Sequence, residues 1–454
     1  MFLNKKIFIL STIIMLSVHG CVSQKPINVK EPLAQLNYLI LGCVEDDGVI
    51  FSIKMSGETK LELIIFEEKT KKEVVKRKID FPGRKNFVHK EKITGLQPET
   101  VYTYELMNTS KLLLQQGRFQ TLPLGPASYK IAFGSCANTG SASDIFVKIK
   151  DENPLFFLNT GDIHYENIGD SCLEKFDKAY EKVFSSVTQS KLYAEVPLVY
   201  MWDDHDFGPN NTDSSNPCRK ESVASYKKHL PHYPMAIQSE IGPISQNFEV
   251  GRVVFMLTDL RSQKVRPQLE GCQKLKPGTN FGNEDHLQWF FQSMLKTKNE
   301  GKVVAWISSY SWINAEGGPN YKCTETDNWG GYPEERQQIA DFIKKHQIPV
   351  FILSGDAHMV AIDDGKNSDY ATGGGAPIPV FHAAALDRYG SYKGGPYSNG
   401  YSTVPAQYGI MEVEDHGGHQ ICFHWYGKNK EGNIVKNQNG DEIKLDFCFD
   451  LSIK

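Results

Sequence analysis

The stretch Leu198-Val199-Tyr200-Met201-Trp202-Asp203-Asp204-His205-Asp206 decides how this chain is read. An apolar run of β-branched and aromatic residues predicts a buried strand, and here it breaks off into three carboxylates and an imidazole. The same grammar recurs on both sides. Upstream, residues 130–134 run into Gly134-Ser135-Cys136, and residues 155–159 into Gly161-Asp162-Ile163-His164-Tyr165. Downstream, residues 253–259 deliver Asp259-Leu260-Arg261, and residues 349–354 deliver Ser354-Gly355-Asp356-Ala357-His358. A further strand is expected over 303–308. Helical patterns fall between: 176–187, 285–295 with Leu287, Phe290, Phe291, Met294 and Leu295 on one face, and 334–346 with Ile339, Phe342 and Ile343 inward. Strands alternating with amphipathic helices from residue 129 onward predict a layered α/β domain over 129–454.

In layered α/β folds, ligands bind where loops converge at the carboxyl ends of strands. Carboxylates, imidazole, phenol and thiol gathered there cannot all ionise without cations, so a multinuclear metal centre is the expected resolution. Each piece alone is ordinary. A Gly-Asp after a strand is commonly a turn, a cysteine in an exported protein is commonly paired, and a strand-end histidine is commonly just hydrogen-bonded. The ordered series carries the inference.

Ahead of this domain the texture differs. Val49-Ile50-Phe51-Ser52-Ile53 and Leu61-Glu62-Leu63-Ile64-Ile65-Phe66 are short strands with turn signals between them, which predicts a β-sandwich over 33–123. Leu122-Pro123-Leu124-Gly125-Pro126 reads as a linker. Residues 373–402 are rich in Gly and Tyr and read as an irregular wall or lid. The tail from Ile421 alternates again and contains the hairpin signal Asn439-Gly440.

At the N-terminus, Lys5-Lys6 precede an apolar run over 7–18 and then His19-Gly20-Cys21. About a dozen apolar residues behind a cationic start read as a secretory signal, too short to span a bilayer. A small residue before Cys21 resembles the bacterial lipobox. Residues 1–20 are therefore expected to be a lipoprotein signal peptide and 21–32 a tether, with the mature chain in the cell envelope, held to the membrane only by a lipid on Cys21. The chain has 454 residues and a net charge of −4, which argues against a nucleic-acid-binding surface or a polybasic membrane patch. It is expected to act as a monomer. The nine cysteines are expected to divide into Cys21 as anchor, Cys136 at the centre, three possible bridges between neighbours in chain order (Cys172 with Cys218, Cys272 with Cys323, Cys422 with Cys448) whose connectivity the sequence leaves open, and Cys43 as a buried thiol.

The motif series resembles the calcineurin-like metallophosphoesterase superfamily and, more closely, its PhoD-type alkaline phosphatase/phosphodiesterase branch. Gly134-Ser135-Cys136, Gly161-Asp162 with Tyr165, Trp202-Asp203-Asp204-His205-Asp206 and Ser354-Gly355-Asp356-Ala357-His358 carry that resemblance. So do Ile93-Thr94-Gly95-Leu96-Gln97-Pro98 with Tyr102 and Tyr104, similar to a fibronectin type III module, and Asp327-Asn328-Trp329-Gly330-Gly331-Tyr332. The resemblance implies a metallophosphoesterase α/β/β/α sandwich preceded by a fibronectin type III-like β-sandwich. It further implies that Asp162 bridges two metals, with Cys136 and Tyr165 on Fe(III). Asp204, Asp356, His358 and Asn210 complete the ligands, and Ca²⁺ suits the carboxylate and amide oxygens. His205 would hydrogen-bond a phosphoryl oxygen or protonate the leaving group. Arg261 would offer a bidentate fork to phosphate, an ion pair with Asp259 being the competing reading. His164 is read as a surface or outer residue. The implied activity is hydrolysis of phosphomonoesters, phosphodiesters or both, by in-line attack of a hydroxide between two cations. A tethered binding protein with an inactive domain is the alternative from another class. A serine or cysteine hydrolase is disfavoured because Gly134-Ser135-Cys136 lacks the second glycine of a nucleophile elbow.

Overall fold

The computed structural model describes residues 34–84 and 87–452; the expected signal peptide and tether, with Cys21, lie outside them. The fold is mixed α/β. A nine-stranded sheet runs in the order Lys444–Asp450, Gln420–Asn429, Gln407–Glu414, Tyr129–Gly134, Phe157–Asn159, Leu198–Tyr200, Leu36–Gly42, Val49–Met55, His89–Ile93. Its three central strands are parallel, in the registers Phe133↔Leu158 and Val199↔Leu158. A seven-stranded sheet runs Gln246–Val250, Val253–Thr258, Val303–Ser308, Val350–Ser354, Val380–Ala383, Val360–Asp363, Tyr401–Ser402. Its four strands from Val253–Thr258 to Val380–Ala383 are parallel.

Sequence pattern follows coverage. Val303–Ser308 and Val350–Ser354 are buried at every residue, as parallel strands covered on both faces must be. Gln420–Asn429 alternates instead, presenting one face inward. The two sheets meet through aromatic contacts such as Phe133 with Phe381 at 4.8 Å and Phe156 with Phe255 at 5.3 Å. Helices Glu284–Asn299 and Pro333–His346 lay Phe290, Met294, Ile339 and Ile343 against Trp306 and Ile352 of the second sheet. Helix Cys172–Phe184 packs Tyr180 and Phe184 against the first.

The N-terminal strands divide in two. Glu73–Pro82, Glu58–Glu67, Val101–Asn108 and Leu113–Gln120 form an antiparallel sheet of their own, while Leu36–Gly42, Val49–Met55 and His89–Ile93 continue the first sheet. The join is a single parallel register, Gly42↔Leu198. Leu39, Phe51, Leu63, Tyr104 and Phe119 share one core between these two sets.

Residues 373–402 are less irregular than expected. They hold Val380–Ala383, wholly buried within the second sheet, and Tyr401–Ser402 at its margin. That short strand is hidden in the sequence by the glycines and prolines around it. Disulfides join Cys172 to Cys218, Cys272 to Cys323 and Cys422 to Cys448, and Cys43 and Cys136 are free and buried. No helix among the described residues is long and apolar enough to cross a membrane.

Candidate metal centre

The parallel strands of both sheets deliver their carboxyl-terminal loops to one place. Tyr129–Gly134 leads to Cys136, Phe157–Asn159 to Asp162 and Tyr165, Leu198–Tyr200 to Asp203 and Asp204, and Val350–Ser354 to Asp356 and His358. Cys136, Asp162, Asp356 and His358 all sit in the left-handed backbone region, at φ of 63°, 54°, 53° and 51°. Non-glycine residues seldom adopt it, and such strain collects at functional sites. Close approach of the loops needs glycine: a Cβ on Gly161 would stand 2.4 Å from Cβ of Asp203, and one on Gly355 would stand 2.7 Å from both Ser135 Oγ and Thr160 Oγ1.

Potential ligand atoms converge in three overlapping groups: Cys136, Asp162 and His358; Asp162, Asp204 and His205; and Asp162, Asp203, Asp204 and Asp356. Within each group they lie no more than 4.8 Å apart. Asp162 is common to all three. Its Oδ2 accepts from Tyr165 OH at 2.6 Å and lies 3.7 Å from Cys136 Sγ, and Tyr165 OH is 2.9 Å from His358 Nε2. Asp162 Oδ1, Asp203 Oδ2, Asp204 Oδ1 and Asp356 Oδ2 are buried with no hydrogen-bond partner among the described residues. Four buried carboxylate oxygens without a hydrogen bond, one of which (Asp204 Oδ1) has only Arg261 Nη2 at 3.8 Å, are costly alone and are what a cation would satisfy. The proton affinities agree. Burial, then Asp204 and Asp203, hold Asp162 well above the usual carboxylate range. Burial raises Asp203 to about 8 against the pull of Arg261. Burial and Asp162 likewise raise both the Cys136 thiol and the Tyr165 phenol. Cationic charge at this point reverses each of these shifts, so the donor set fits metal ions.

Other expected residues lie differently. His205 is 9 % exposed; its ring is 4.1 Å from that of Tyr165, and its Nδ1 is 2.8 Å from Asn167 Oδ1. The Asn210 side chain is exposed and donates to Asn211 Oδ1, outside the cluster, while the backbone N–H of Asn211 donates to Asp204 Oδ2. Arg261 does not present a fork to a phosphate. It is 0 % exposed, donating from Nε to Asp203 Oδ1 at 2.5 Å and from Nη1 to Asp327 Oδ1. Nor does its side chain pair with Asp259, which accepts instead from Trp202 Nε1 and the backbone N–H groups of Ile244 and Arg261. A guanidinium among so many carboxylates is drawn inward as their counter-ion. His164 is fully buried between Phe176 and Tyr180, not at the surface, and neither ring nitrogen has a partner among the described residues.

Sequence reasoning underweighted Asp206 and missed Asn167, Lys264, Arg388 and Lys393. Asp206 accepts four backbone N–H groups and holds the Asp162 loop. Its place in the Trp202–Asp206 motif was the available signal. Lys264 sits 3.3 Å from Asp327, and Lys393 Nζ donates to Asp356 Oδ1 at 2.7 Å. A cleft of ≈ 350 Å³ opens beside the cluster, lined by Asn211, Asn314, Lys322, Asp327, Tyr392 and Lys393 among others.

Comparison with known proteins places this geometry. Alkaline phosphatase D of Bacillus subtilis (strain 168) is 25% identical over 320 residues, which are 61% of this chain and 54% of that protein. The chain thus spans about half the length of that curated relative. A solved structure described as "Structure of PhoD" superposes with a TM-score of 0.66 at 16% identity, covering 89% of this chain and 93% of the other. At that identity the likeness is one of fold. The PhoD-like phosphatase family model matches residues 131–393, a span that begins at the strand before Cys136 and ends at Lys393. It takes in every loop of the carboxylate cluster, and the chain belongs to the PhoD-like phosphatase family.

Proposed function

We propose that this protein is a metal-dependent hydrolase of phosphate esters, mono- or diesters, acting outside the cytoplasm and tethered through Cys21. The observation that carries the reading is the set of four buried carboxylates, each with an oxygen that makes no hydrogen bond, beside a thiol and a phenol. Cys136, Tyr165, Asp162 and His358 offer a thiolate, a phenolate, a carboxylate and an imidazole, a set whose anionic oxygens and thiolate suit Fe(III). Asp203, Asp204 and Asp356 offer the hard oxygens suited to Ca²⁺. Bound there, such cations supply Lewis acidity toward phosphoryl oxygens and make water acidic enough to serve as nucleophile. Two sheets meeting with helices on their outer faces support the α/β/β/α layering, and the front strands support a fibronectin type III-like unit.

The chain's own residues orient and protonate. Asn167 Oδ1 accepts the backbone N–H of Asn210 at 2.9 Å, so its oxygen, not its amide nitrogen, faces His205. His205 Nδ1 must then carry a proton, leaving Nε2 bare in the neutral ring. Burial holds the His205 pKa below its ordinary value. A bound phosphate's negative charge opposes that, drawing a proton onto Nε2 that can pass to the leaving oxygen. Arg261 and Lys264 balance Asp203, Asp204 and Asp327 from behind. The three disulfides fit an oxidising compartment.

The test is metal analysis and a panel of chromogenic mono- and diesters on one preparation, before and after chelation. Turnover lost on chelation and restored by metal is expected. Metal-replete protein that cleaves neither ester class would refute the reading. A visible absorption band in iron-loaded protein, lost in Tyr165→Phe, is expected if phenolate binds iron; an iron-loaded sample without it counts against that ligand.

A further inference from the structure

With Arg261 engaged by carboxylates, a different arginine stands beside the cluster. Arg388 lies between strands Val380–Ala383 and Tyr401–Ser402. Its guanidinium carbon is 4.0 Å from the centroid of the Tyr165 ring and 5.2 Å from that of Tyr389. Tyr165 is the ring that also packs at 4.1 Å on His205 and donates to Asp162. The guanidinium is held in place. Arg388 Nη1 donates to Asn138 Oδ1 at 2.7 Å, and Asn138 donates from Nδ2 to the Asp387 carbonyl at 3.0 Å and from its backbone to the Asp387 carboxylate. Asn138 itself follows Cys136 by two residues, so this arginine is fastened to a loop of the metal centre.

Two features separate Arg388 from a structural cation. Unlike Arg261, it makes no ion pair among the described residues. Its Nε–H is sealed from solvent and has no hydrogen-bond partner among the described residues. A buried guanidinium donor left unpaired is disfavoured unless something binds it.

We propose that Arg388, steadied by Asn138, binds a phosphoryl oxygen of the substrate from the Tyr165 side and favours phosphomonoesters over phosphodiesters. The inference rests on the phosphoesterase reading above and deepens it. A monoester carries close to two negative charges at alkaline pH and a diester one, so a fixed guanidinium outside the carboxylate cluster stabilises the monoester more.

Arg388→Gln and Asn138→Ala, each checked for native melting, are to be assayed on p-nitrophenyl phosphate and bis(p-nitrophenyl) phosphate. Losing one charge-assisted contact, Arg388→Gln should lower kcat/KM on the monoester by about ten- to a hundred-fold. The diester should lose no more than about threefold, and Asn138→Ala should shift the same ratio to a smaller degree. Equal losses on both esters, or none, overturn the proposal. Calorimetric binding of inorganic phosphate to metal-loaded protein needs no turnover and therefore separates this idea from the hydrolase reading. Wild type should bind phosphate at least about tenfold more tightly than Arg388→Gln. Equal affinity, or no binding by wild type, refutes the assignment even if esters are cleaved.

Discussion

Replacing Asp206 by asparagine should unfasten the loop that carries Asp162. The carboxylate is 1 % exposed. Its Oδ2 accepts the backbone N–H of Asp162 at 2.6 Å and of Asp203 at 3.1 Å, and its Oδ1 those of Ile163 at 2.8 Å and His164 at 3.2 Å. Asparagine keeps one acceptor oxygen and turns the other into a donor. Whichever way the amide is flipped, two backbone donors then face an NH₂ group. Each buried donor left unsatisfied costs about 1–3 kcal/mol, so Asp206→Asn should lose about 2–6 kcal/mol of unfolding free energy. Cation affinity should fall by about tenfold or more, because the residues that orient a ligand are nearly as important as the ligand. Burial, opposed by those N–H groups, raises the Asp206 pKa to about 7. The wild-type carboxyl therefore takes up a proton below that pH and comes to resemble the variant, so the comparison belongs at pH 8. Urea denaturation and metal titration provide the two readouts. A variant within about 0.5 kcal/mol of wild type, with unchanged metal content, would show that the loop is held by something else.

Three further outcomes follow from the same geometry. Asp177 is 3 % exposed; burial raises its pKa, but hydrogen bonds from His229 and Lys228 outweigh this and lower it to about 2. A depressed carboxylate stabilises the fold above its unfolded pKa near 4, by about 2–3 kcal/mol here, and loses that contribution as pH falls toward 2. Urea curves of wild type and Asp177→Asn should accordingly converge across that window. Arg261→Met strips Asp203 of its buried cation and leaves Asp327 with Lys264 alone, and should cost about 3–5 kcal/mol in urea denaturation; a neutral result would mean the network relaxes around the gap. Cys272→Ser with Cys323→Ser opens a link between residues 51 apart in sequence. The chain-entropy estimate for such a loop is about 4 kcal/mol. Since the freed segment includes Lys322 of the cleft wall, KM should rise more than kcat falls, which steady-state kinetics will decide.

Much of this is legible in the sequence alone. The run from Leu198 to Asp206 announces a strand that ends in candidate ligands because burial selects apolar residues and the carboxylates begin at its end, with nothing between to blur the edge. The helices over 285–295 and 334–346 are visible for the same reason, in that one face is consistently apolar. Strand partnership was not legible. Val49-Ile50-Phe51 and Leu61-Glu62-Leu63 look alike in sequence, yet the first continues the sheet beneath the metal centre and the second pairs elsewhere. Partner choice depends on contacts far apart in the chain, which local pattern does not encode. Arginine misled for a related reason: a lone Arg261 after a strand reads as a solvent-facing fork, and only the convergence of Asp203 and Asp204 from one loop and Asp327 from another turns it inward. Arg388 was invisible because its neighbours Tyr389 and Gly390 match no motif, and its value comes from Asn138, 250 residues away in sequence.

The nine-stranded sheet has an implication for how the protein is made. Its inner strands come from residues 129–200, but its flanks come from the two ends of the described chain, with Leu36–Gly42 beside Leu198–Tyr200 and Lys444–Asp450 at the opposite margin. Tyr129–Gly134, the strand that sets Cys136, stays an open edge until Gln407–Glu414 has been synthesised. Pairings this distant are slow to form. The nine-stranded sheet therefore cannot be completed until the last strands of the described chain have been made. Products that terminate early should appear in cells as protease substrates and aggregates, not as partly active enzyme.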